Sequence, residues 1–484
     1  GNAAHFVEIK TFHAYCFDLL GRIGNLEDAK DVVRKAAQMI NEGEVEPNKI
    51  GKAVLVIDEA QDMGEAEFAL VEALMAQNED MRVIAVGDDD QNIYEFRGSN
   101  SAYMQRLTHV EGSRLIEMTE NYRSDMHLVT FANDFVKAMP GRMKTAPITA
   151  ICNENGWVEV VHHQTKYLYQ PVAEELVQRK DGGTTCLLTQ TNEEAVIMLA
   201  LLRRKGINAK LIQSLDGFRF WNMAETRYFL RKLDKRGQTA IIPDEIWQEA
   251  KQKTYETYAR SESLAYLKRC IEVFEQTNRE KYATDFKEFV FESAVEDFCD
   301  VSRADVVVST IHKAKGKEFD NVYLLVAGRY PKESILLRRY YVAITRAKKR
   351  LYVHTNGNCF DRLTADRHTS DTKDYVMPDE VVLQLSHKDV YLDYFKQRKA
   401  DVLVLRAGDE LLVEDNVLYT PNGHKPVAML SKGMSQTLQM WSGKGYDVHG
   451  AKVRFVVAWR PKDAEKGDEE TAVVLADLRL VSRT

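Results

Sequence analysis

The run Val54-Leu55-Val56-Ile57 delivers two adjacent carboxylates, Asp58 and Glu59, at the end of an apolar strand. In an open α/β sheet that end is where ligands bind. One carboxylate of such a pair suits Mg²⁺, which takes one or two protein carboxylates with water and phosphate oxygens, and the next can orient an attacking water. The same run also reads as a strand with a solvated acidic end. The next apolar strand leads into Gly87-Asp88-Asp89-Asp90-Gln91-Asn92-Ile93-Tyr94-Glu95-Phe96-Arg97-Gly98, a polar turn beside exposed aromatics. Gln91 is a neutral side chain able to sense a γ-phosphate. Tyr94 and Phe96 can stack on unpaired bases, worth ~1–3 kcal/mol per base, unless both rings are core. Asn121-Tyr122-Arg123 stands just before a helix start at Ser124, where backbone N–H groups and the helix dipole favour an anion. Arg123 there can reach a phosphate or close an ordinary surface salt bridge.

These residues need rigid elements to hold them. From Val7 to about Phe360, short apolar runs alternate with helical stretches, the rhythm of parallel βα units covered on both faces. The runs are Val54-Ile57, Val83-Val86, Val158-Val161, Cys186-Leu188, Val306-Val308, Val322-Val326 and Leu351-Val353. Ser124 reads as the N-cap of a helix that ends at Pro140, and a second helix runs through Glu193-Lys205 and stops at Gly206. Residues 235–299 break the rhythm and read as a helical insertion, with Trp247, Tyr255, Tyr258, Leu264, Tyr266, Leu267, Phe274 and Phe286 as its buried positions. Residues 364–400 are polar, aperiodic and linker-like. From 401 to 484 the pattern becomes period two, through Val402, Val404, Leu411-Val413, an Asn422-Gly423 turn, Val453-Phe455-Val457 and Val473-Leu475, and predicts a small all-β domain with Trp441, Phe455 and Trp459 in its core.

At 484 residues the chain is long enough for about three folding units. Its six cysteines are scattered without a CxxC pair, which disfavours a zinc site or a disulfide framework. No run of eighteen apolar residues and no signal peptide is present, so the expectation is a soluble, cytoplasmic and nucleoid-associated protein without membrane partners. A formal net charge of -7 argues against coating DNA by bulk attraction but leaves room for a local basic groove. Arg338, Arg339, Arg346, Lys348, Lys349 and Arg350 supply candidates, though a charge run is often a solvated face.

Two further segments, Ser309-Thr310-Ile311-His312-Lys313-Ala314-Lys315-Gly316-Lys317-Glu318-Phe319 and Tyr341-Val342-Ala343-Ile344-Thr345-Arg346-Ala347-Lys348-Lys349, complete a co-linear series. In order and spacing, DEAQD, GDDDQNIYEFRG, ENYRS, STIHKAKGKEF and YVAITRAKKRL resemble helicase motifs II to VI of the UvrD/Rep/PcrA-like superfamily 1 DNA helicases. Ile9-Lys10-Thr11-Phe12-His13-Ala14-Tyr15-Cys16 resembles that family's upstream DNA-contacting motif, so the likeness runs from Val7 to about Val353.

The resemblance implies two RecA-like parallel-sheet domains of the P-loop NTPase fold, at 1–138 and at 139–234 with 300–363. ATP and Mg²⁺ would lie in the cleft between them. Asp58 would ligate Mg²⁺, Glu59 would be the general base, and Gln91, Arg123 and Arg346 would surround the γ-phosphate. Tyr122 would stack on the nucleotide base and Glu318 would meet its ribose. Thr11, His13, Thr310 and His312 match backbone-contacting positions on single-stranded DNA, while Tyr94, Phe96 and Arg97 match the base-stacking strip. The implied activity is ATP hydrolysis coupled to 3′-to-5′ movement on single-stranded DNA and at duplex junctions. The terminal β domain is a possible protein-partner site by analogy.

The sequence departs from the family in several places. Gly51-Lys52, Gly316-Lys317 and Gly443-Lys444 are each followed by the wrong residue for a phosphate-binding Gly-Lys-Thr/Ser loop. With Gly1 in place of methionine, the expectation is that these 484 residues belong to a longer protein whose first domain is cut short here. Alone they would bind ATP poorly and unwind nothing. Only residues 14–57 separate the upstream motif from Asp58, where the family inserts a large helical subdomain, and Lys313 stands where the family has a small residue. Two rivals follow: a non-hydrolysing, helicase-derived DNA-binding or scaffolding module, and an RNA-directed motor of the same superfamily.

Overall fold

The computed structural model describes residues 7–20, 31–95, 98–215, 217–234, 241–328, 334–460 and 470–483. Strands β1 (Val54–Ile57) and β2 (Arg82–Ala85) pair in parallel, with Leu55 opposite Val83 and Val56 opposite Ile84. Helices Glu65–Gln77 and Ser101–Leu107 cover one face, where Leu55, Ile57 and Val83 meet Phe68, Val71 and Met104. On the other face Val54, Val56, Ile84 and Val86 remain 42 to 62% exposed. Parallel strands are ordinarily buried on both sides. This unit therefore presents a bare apolar sheet face. A separate parallel pair joins β3 (Glu120–Asn121) and β4 (Thr149–Ala150).

The second unit is one all-parallel sheet of β5 (Trp157–His163), β6 (Thr185–Thr189), β7 (Ala209–Leu211), β8 (Val306–Thr310), β9 (Phe319–Val326), β10 (Ala347–Thr355) and β11 (Arg367–Asp371). Across the sheet the order is β11-β5-β10-β9-β6-β8-β7. Side chains alternate between faces with period two. Val160, Leu188, Val307, Leu324 and Val353 enter one cluster, and Leu187, Val308, Tyr323, Leu325 and Tyr352 the cluster on the opposite side. Local signals bound the helices that cover it. Helix Asn192–Arg204 starts at Thr191, whose hydroxyl accepts from the Glu194 N–H while the Glu194 carboxylate accepts from the Thr191 N–H, a reciprocal capping box. Gly206 follows its end at φ +83°.

Helices Asp244–Thr257, Leu264–Thr277 and Ala283–Glu292 form the expected helical stretch, with Trp247, Leu267, Phe274 and Phe286 buried and Tyr255 and Tyr266 half-buried. An antiparallel sheet closes the chain: β12 (Glu380–Gln384), β13 (Glu410–Glu414), β14 (Val417–Tyr419), β15 (Pro426–Met429), β16 (Tyr446–Trp459) and β17 (Thr471–Ser482), in the order β12-β17-β16-β13-β14-β15. Phe17, Trp247, Phe286, Val457 and Leu475 share one continuous hydrophobic core, so the helical stretch and the terminal sheet are packed together.

Four local expectations are corrected. Residues 364–400 contain β11, which pairs with β5, and β12, which pairs with β17, in place of a linker. β11 escapes a periodicity search because an edge strand tolerates polar residues. Val402 lies in the short helix Lys399–Leu403, and helix Lys432–Gly443 buries Trp441, so the terminal domain is not purely β. Ser124 is not an N-cap: helix Met126–Val136 is preceded by Asp125, and the Ser124 hydroxyl donates to the Ala347 carbonyl at 2.7 Å. The helix also stops at Val136, short of Pro140.

Candidate functional site

Asp58 and Glu59 leave the C-terminal end of β1 with both side chains exposed. Glu59 is held in the left-handed region at φ 49° and ψ 41°, a conformation that costs about 1–3 kcal/mol for a non-glycine residue and clusters at functional sites. The Asp58 carboxylate accepts the Glu59 N–H at 2.9 Å and makes no ion pair among the described residues. Beneath them Gln61 is fully buried. Its amide N–H donates to Glu59 Oε2, and its oxygen accepts the Asp88 N–H at 2.9 Å.

The Asp88-Asp89-Asp90 turn follows β2 and has the look of a metal cluster, but cations and N–H groups already occupy it. Arg142 forks onto Asp90 at 2.8–3.0 Å, Lys144 reaches Asp88 at 2.6 Å, and the Met143 N–H meets Asp89 at 2.8 Å. Burial still pushes the Asp89 carboxyl up. Asp58, exposed at the strand end, is the better fit to Mg²⁺, and its donor chemistry is the hard oxygen that ion prefers.

From Asp88 the network crosses to the second unit. Gln91 Nε2 donates to Asp88 Oδ2 at 2.8 Å, and Gln91 Oε1 accepts from the Arg346 guanidinium at 2.9 Å. Arg346 is buried, anchored to the Val342 and Lys317 carbonyls and the Thr345 hydroxyl. Burial, with the nearby charge of Arg123, brings its pKa down to about 10, so it remains a cation at neutral pH. Arg123 pairs with Glu318 at 3.0 Å, and Tyr122 beside it is 74% exposed, its hydroxyl donating to Glu120. Glu318, expected at a ribose, is engaged by Arg123 in this arrangement.

Five of the expected residues are thus brought together: Arg346 is hydrogen-bonded to Gln91 and lies near the charges of Arg123, Glu59 and Glu318, and Arg123 pairs with Glu318. Two residues the motif reading passed over hold them. Gln61 links Glu59 to Asp88. Lys315 Nζ lies 2.6 and 2.8 Å from the Asp62 carboxylate oxygens, 4.0 Å from Glu59 Oε2 and 4.8 Å from the Tyr94 ring centre. The only sequence signal for Gln61 was an amide among acids in DEAQD, and nothing separated Lys315 from Lys313 and Lys317. Lys313 is accounted for in part: its ammonium donates to Asn192 at 2.8 Å.

The nucleic-acid candidates are less open than expected. Tyr94 is half-buried, its hydroxyl donating to the His312 carbonyl at 3.3 Å, and His312 is half-buried too. Thr310 is buried. Thr11 donates its hydroxyl to Glu292, which also accepts the Ala14 N–H at 3.1 Å, so a carboxylate stands where a phosphate contact was expected. His13 is half-buried and lowered in pKa by burial, with Glu67, Glu292 and Arg219 as its charged neighbours. Phe96 and Arg97 lie outside the described residues.

Carboxylates, a glutamine and arginines from two α/β units are thus linked in one network, and sequence comparison matches two segments of the chain to family models. Residues 22–111 match the UvrD/REP helicase N-terminal domain and residues 233–358 the UvrD-like helicase C-terminal domain. The chain carries both, and the resemblance read from its motifs holds. It is 21% identical over 390 residues to a probable DNA helicase II homolog of Mycoplasma genitalium, covering 62% of this chain and 54% of that one. It is 26% identical over 210 residues to the ATP-dependent DNA helicase UvrD1 of Mycobacterium tuberculosis, covering 39% and 26%. To DNA helicase II of Escherichia coli it is 33% identical over 90 residues, 18% of this chain and 12% of that one. The chain spans about half or less of the length of these relatives. A solved C-terminal domain of a possible DNA helicase from Lactobacillus aligns over 52% of this chain and 98% of its own at 14% identity and a TM-score of 0.26, too low to inform the fold. No helix among the described residues is long and apolar enough to cross a membrane.

Proposed function

We propose that this chain acts as an ATP-driven DNA translocase of the UvrD/Rep type, with two RecA-like units that close on ATP between them and step 3′ to 5′ along single-stranded DNA. The observation that carries the reading is the hydrogen-bonded line Glu59–Gln61–Asp88–Gln91–Arg346, which joins the two units through residues of the kind ATP hydrolysis needs. Glu59 would take the proton of the attacking water as its oxygen bonds to the γ-phosphorus and the bond to the ADP oxygen breaks. Arg346 and Arg123 would neutralise the charge spreading over the transferred phosphoryl, and Gln91, held by Arg346, would report its presence. Mg²⁺, held by Asp58, would supply charge neutralisation on the phosphate oxygens. Tyr122 offers an open ring for the nucleotide base, and release of Arg123 would free Glu318 for the ribose. Tyr94, His312 and Thr310 on one side and Thr11 and His13 on the other would border the DNA track.

No Gly-Lys-Thr/Ser loop lies within these 484 residues, so on this reading the phosphate grip would come from elsewhere, and the bare face of β1 and β2 leaves room for further elements of the first unit to pack. The arginines and Glu59 support this reading over a module that binds DNA without hydrolysing ATP. The test is DNA-stimulated ATP hydrolysis by the full-length protein. Glu59→Gln should abolish turnover while leaving ATP binding in place, and undiminished turnover in that variant removes Glu59 from the role of base.

A further inference from the structure

We propose that Gln61 is the positioning residue for Glu59, fixing which carboxylate oxygen faces the substrate water. The inference rests on the reading of Glu59 as general base and adds a residue to it. Gln61 has no access to solvent, so it touches neither water nor nucleotide. Its amide orientation is settled by chemistry: the oxygen must face the Asp88 N–H, which is a donor, and the NH₂ is thereby turned toward Glu59. The N–H donates to Glu59 Oε2, the same oxygen that Lys315 approaches from the second unit, and Glu59 Oε1 makes no hydrogen bond among the described residues. One oxygen is therefore anchored and the other presented. The backbone carbonyl of Gln61 accepts from buried Asn92 at 2.9 Å, and Asn92 in turn accepts from Ser99, so the backbone that carries the amide is tied to the turn after β2.

Gly87 supports the same assignment. A Cβ there would lie 2.4 Å from Gln61 Oε1 and 3.1 Å from the Ala60 backbone nitrogen, so the close approach of the strand end to the amide requires a residue without a side chain. The device also couples two events. Asp88 is held by Gln61 at its N–H and by Gln91 at its carboxylate, and Gln91 is held by Arg346, so the geometry of the base depends on the arginine from the other unit being engaged.

The experiment uses the full-length protein with single-stranded DNA and measures kcat and KM for ATP and the melting temperature. Gln61→Met fills the same buried space without either hydrogen bond and should lower kcat roughly tenfold with KM for ATP unchanged, a fraction of what a general base contributes. Gln61→Glu keeps the shape and can still accept from Asp88, but sets a second carboxylate against Glu59. It loses the N–H that anchors Glu59 Oε2 and should lower kcat at least as far as Gln61→Met does, again with KM for ATP unchanged. A merely structural role would lower the melting temperature and raise KM for ATP together with the loss of kcat. If both variants match wild type while Glu59→Gln is dead, the positioning role is wrong and the base assignment stands. If Glu59→Gln stays active, the base assignment itself has failed.

Discussion

Glu175 offers a prediction whose size follows from its surroundings. It lies on helix Tyr169–Gln178 behind the seven-stranded sheet, and burial pushes its carboxyl up from 4.5 to about 7. Arg179 opposes that shift at 2.9 Å, but the same guanidinium also serves Glu159 at 2.7 Å, and the charges of Glu159 and Asp181 add to the rise while Arg367 subtracts from it. Buried His354, 3.8 Å away, is itself pushed well down by burial and therefore offers no compensating positive charge. A carboxyl whose folded pKa exceeds its unfolded one binds more protons in the folded state, so its contribution is fully present below pH 4.5, is lost as pH rises through about 7, and is flat beyond. At 1.36 kcal/mol per unit, the total penalty is about 3 kcal/mol, of which about 1 falls between pH 6 and 8. Glu175→Gln imitates the neutral form. It should match wild type at the acid end and be more stable at pH 8, with a pH-independent gain above that. Urea denaturation of the 484-residue chain at pH 6, 7 and 8, followed by circular dichroism, reads this directly. A variant that is less stable than wild type at pH 8 would refute the reasoning, because it would mean that the Arg179 pair outweighs burial.

Two other perturbations test the frame and the site. Arg454 on β16 is buried, donates to the Ser214 and Leu385 carbonyls at 2.9 and 2.8 Å, and pairs with half-buried Asp477 at 2.9 Å. Arg454→Met strands that carboxylate and should destabilise the chain by about 3–5 kcal/mol, read as a fall in melting temperature; a loss of less than about 1 kcal/mol would mean that water or Lys452 replaces the guanidinium. Gly87→Ala should disturb the cleft more than the fold, since the clash falls on Gln61, Met104 and the Ala60 nitrogen. Its ATP turnover in the full-length protein should drop well before its melting temperature does, and an active variant would show that the strand end can yield.

Most of the strand framework was legible because burial writes itself as apolar runs. β1, β2, β5, β6, β8, β9 and β10 all coincide with such runs, and the sheet that positions Thr310 and Arg346 could be anticipated from them. β7 and β11 were not, since a three-residue strand is too short for periodicity and a polar edge strand has one open side. Val402 misled for the opposite reason, its apolar spacing fitting a strand where the chain forms a short helix, and the helix that buries Trp441 stands inside a domain expected to be all β. In the site, motif spacing pointed to Glu59, Gln91, Arg123 and Arg346, but their partners are remote in sequence. Gln91 meets Arg346, Asp90 meets Arg142 and Lys315 meets Asp62 only after folding, so the neutralised Asp88–Asp90 turn and the bound states of Thr11 and Tyr94 lay beyond any local pattern.

The central claim is that one hydrolytic site is assembled from both units, and Arg346 tests it most directly because it comes from the second while the base comes from the first. Phosphate release from ATP should be measured with the full-length protein, with and without single-stranded DNA, for wild type and Arg346→Ala. Turnover in the variant should fall by about 10³-fold or more, the range for losing an arginine at the transferred phosphoryl, with DNA binding retained. Turnover equal to wild type would contradict a shared site.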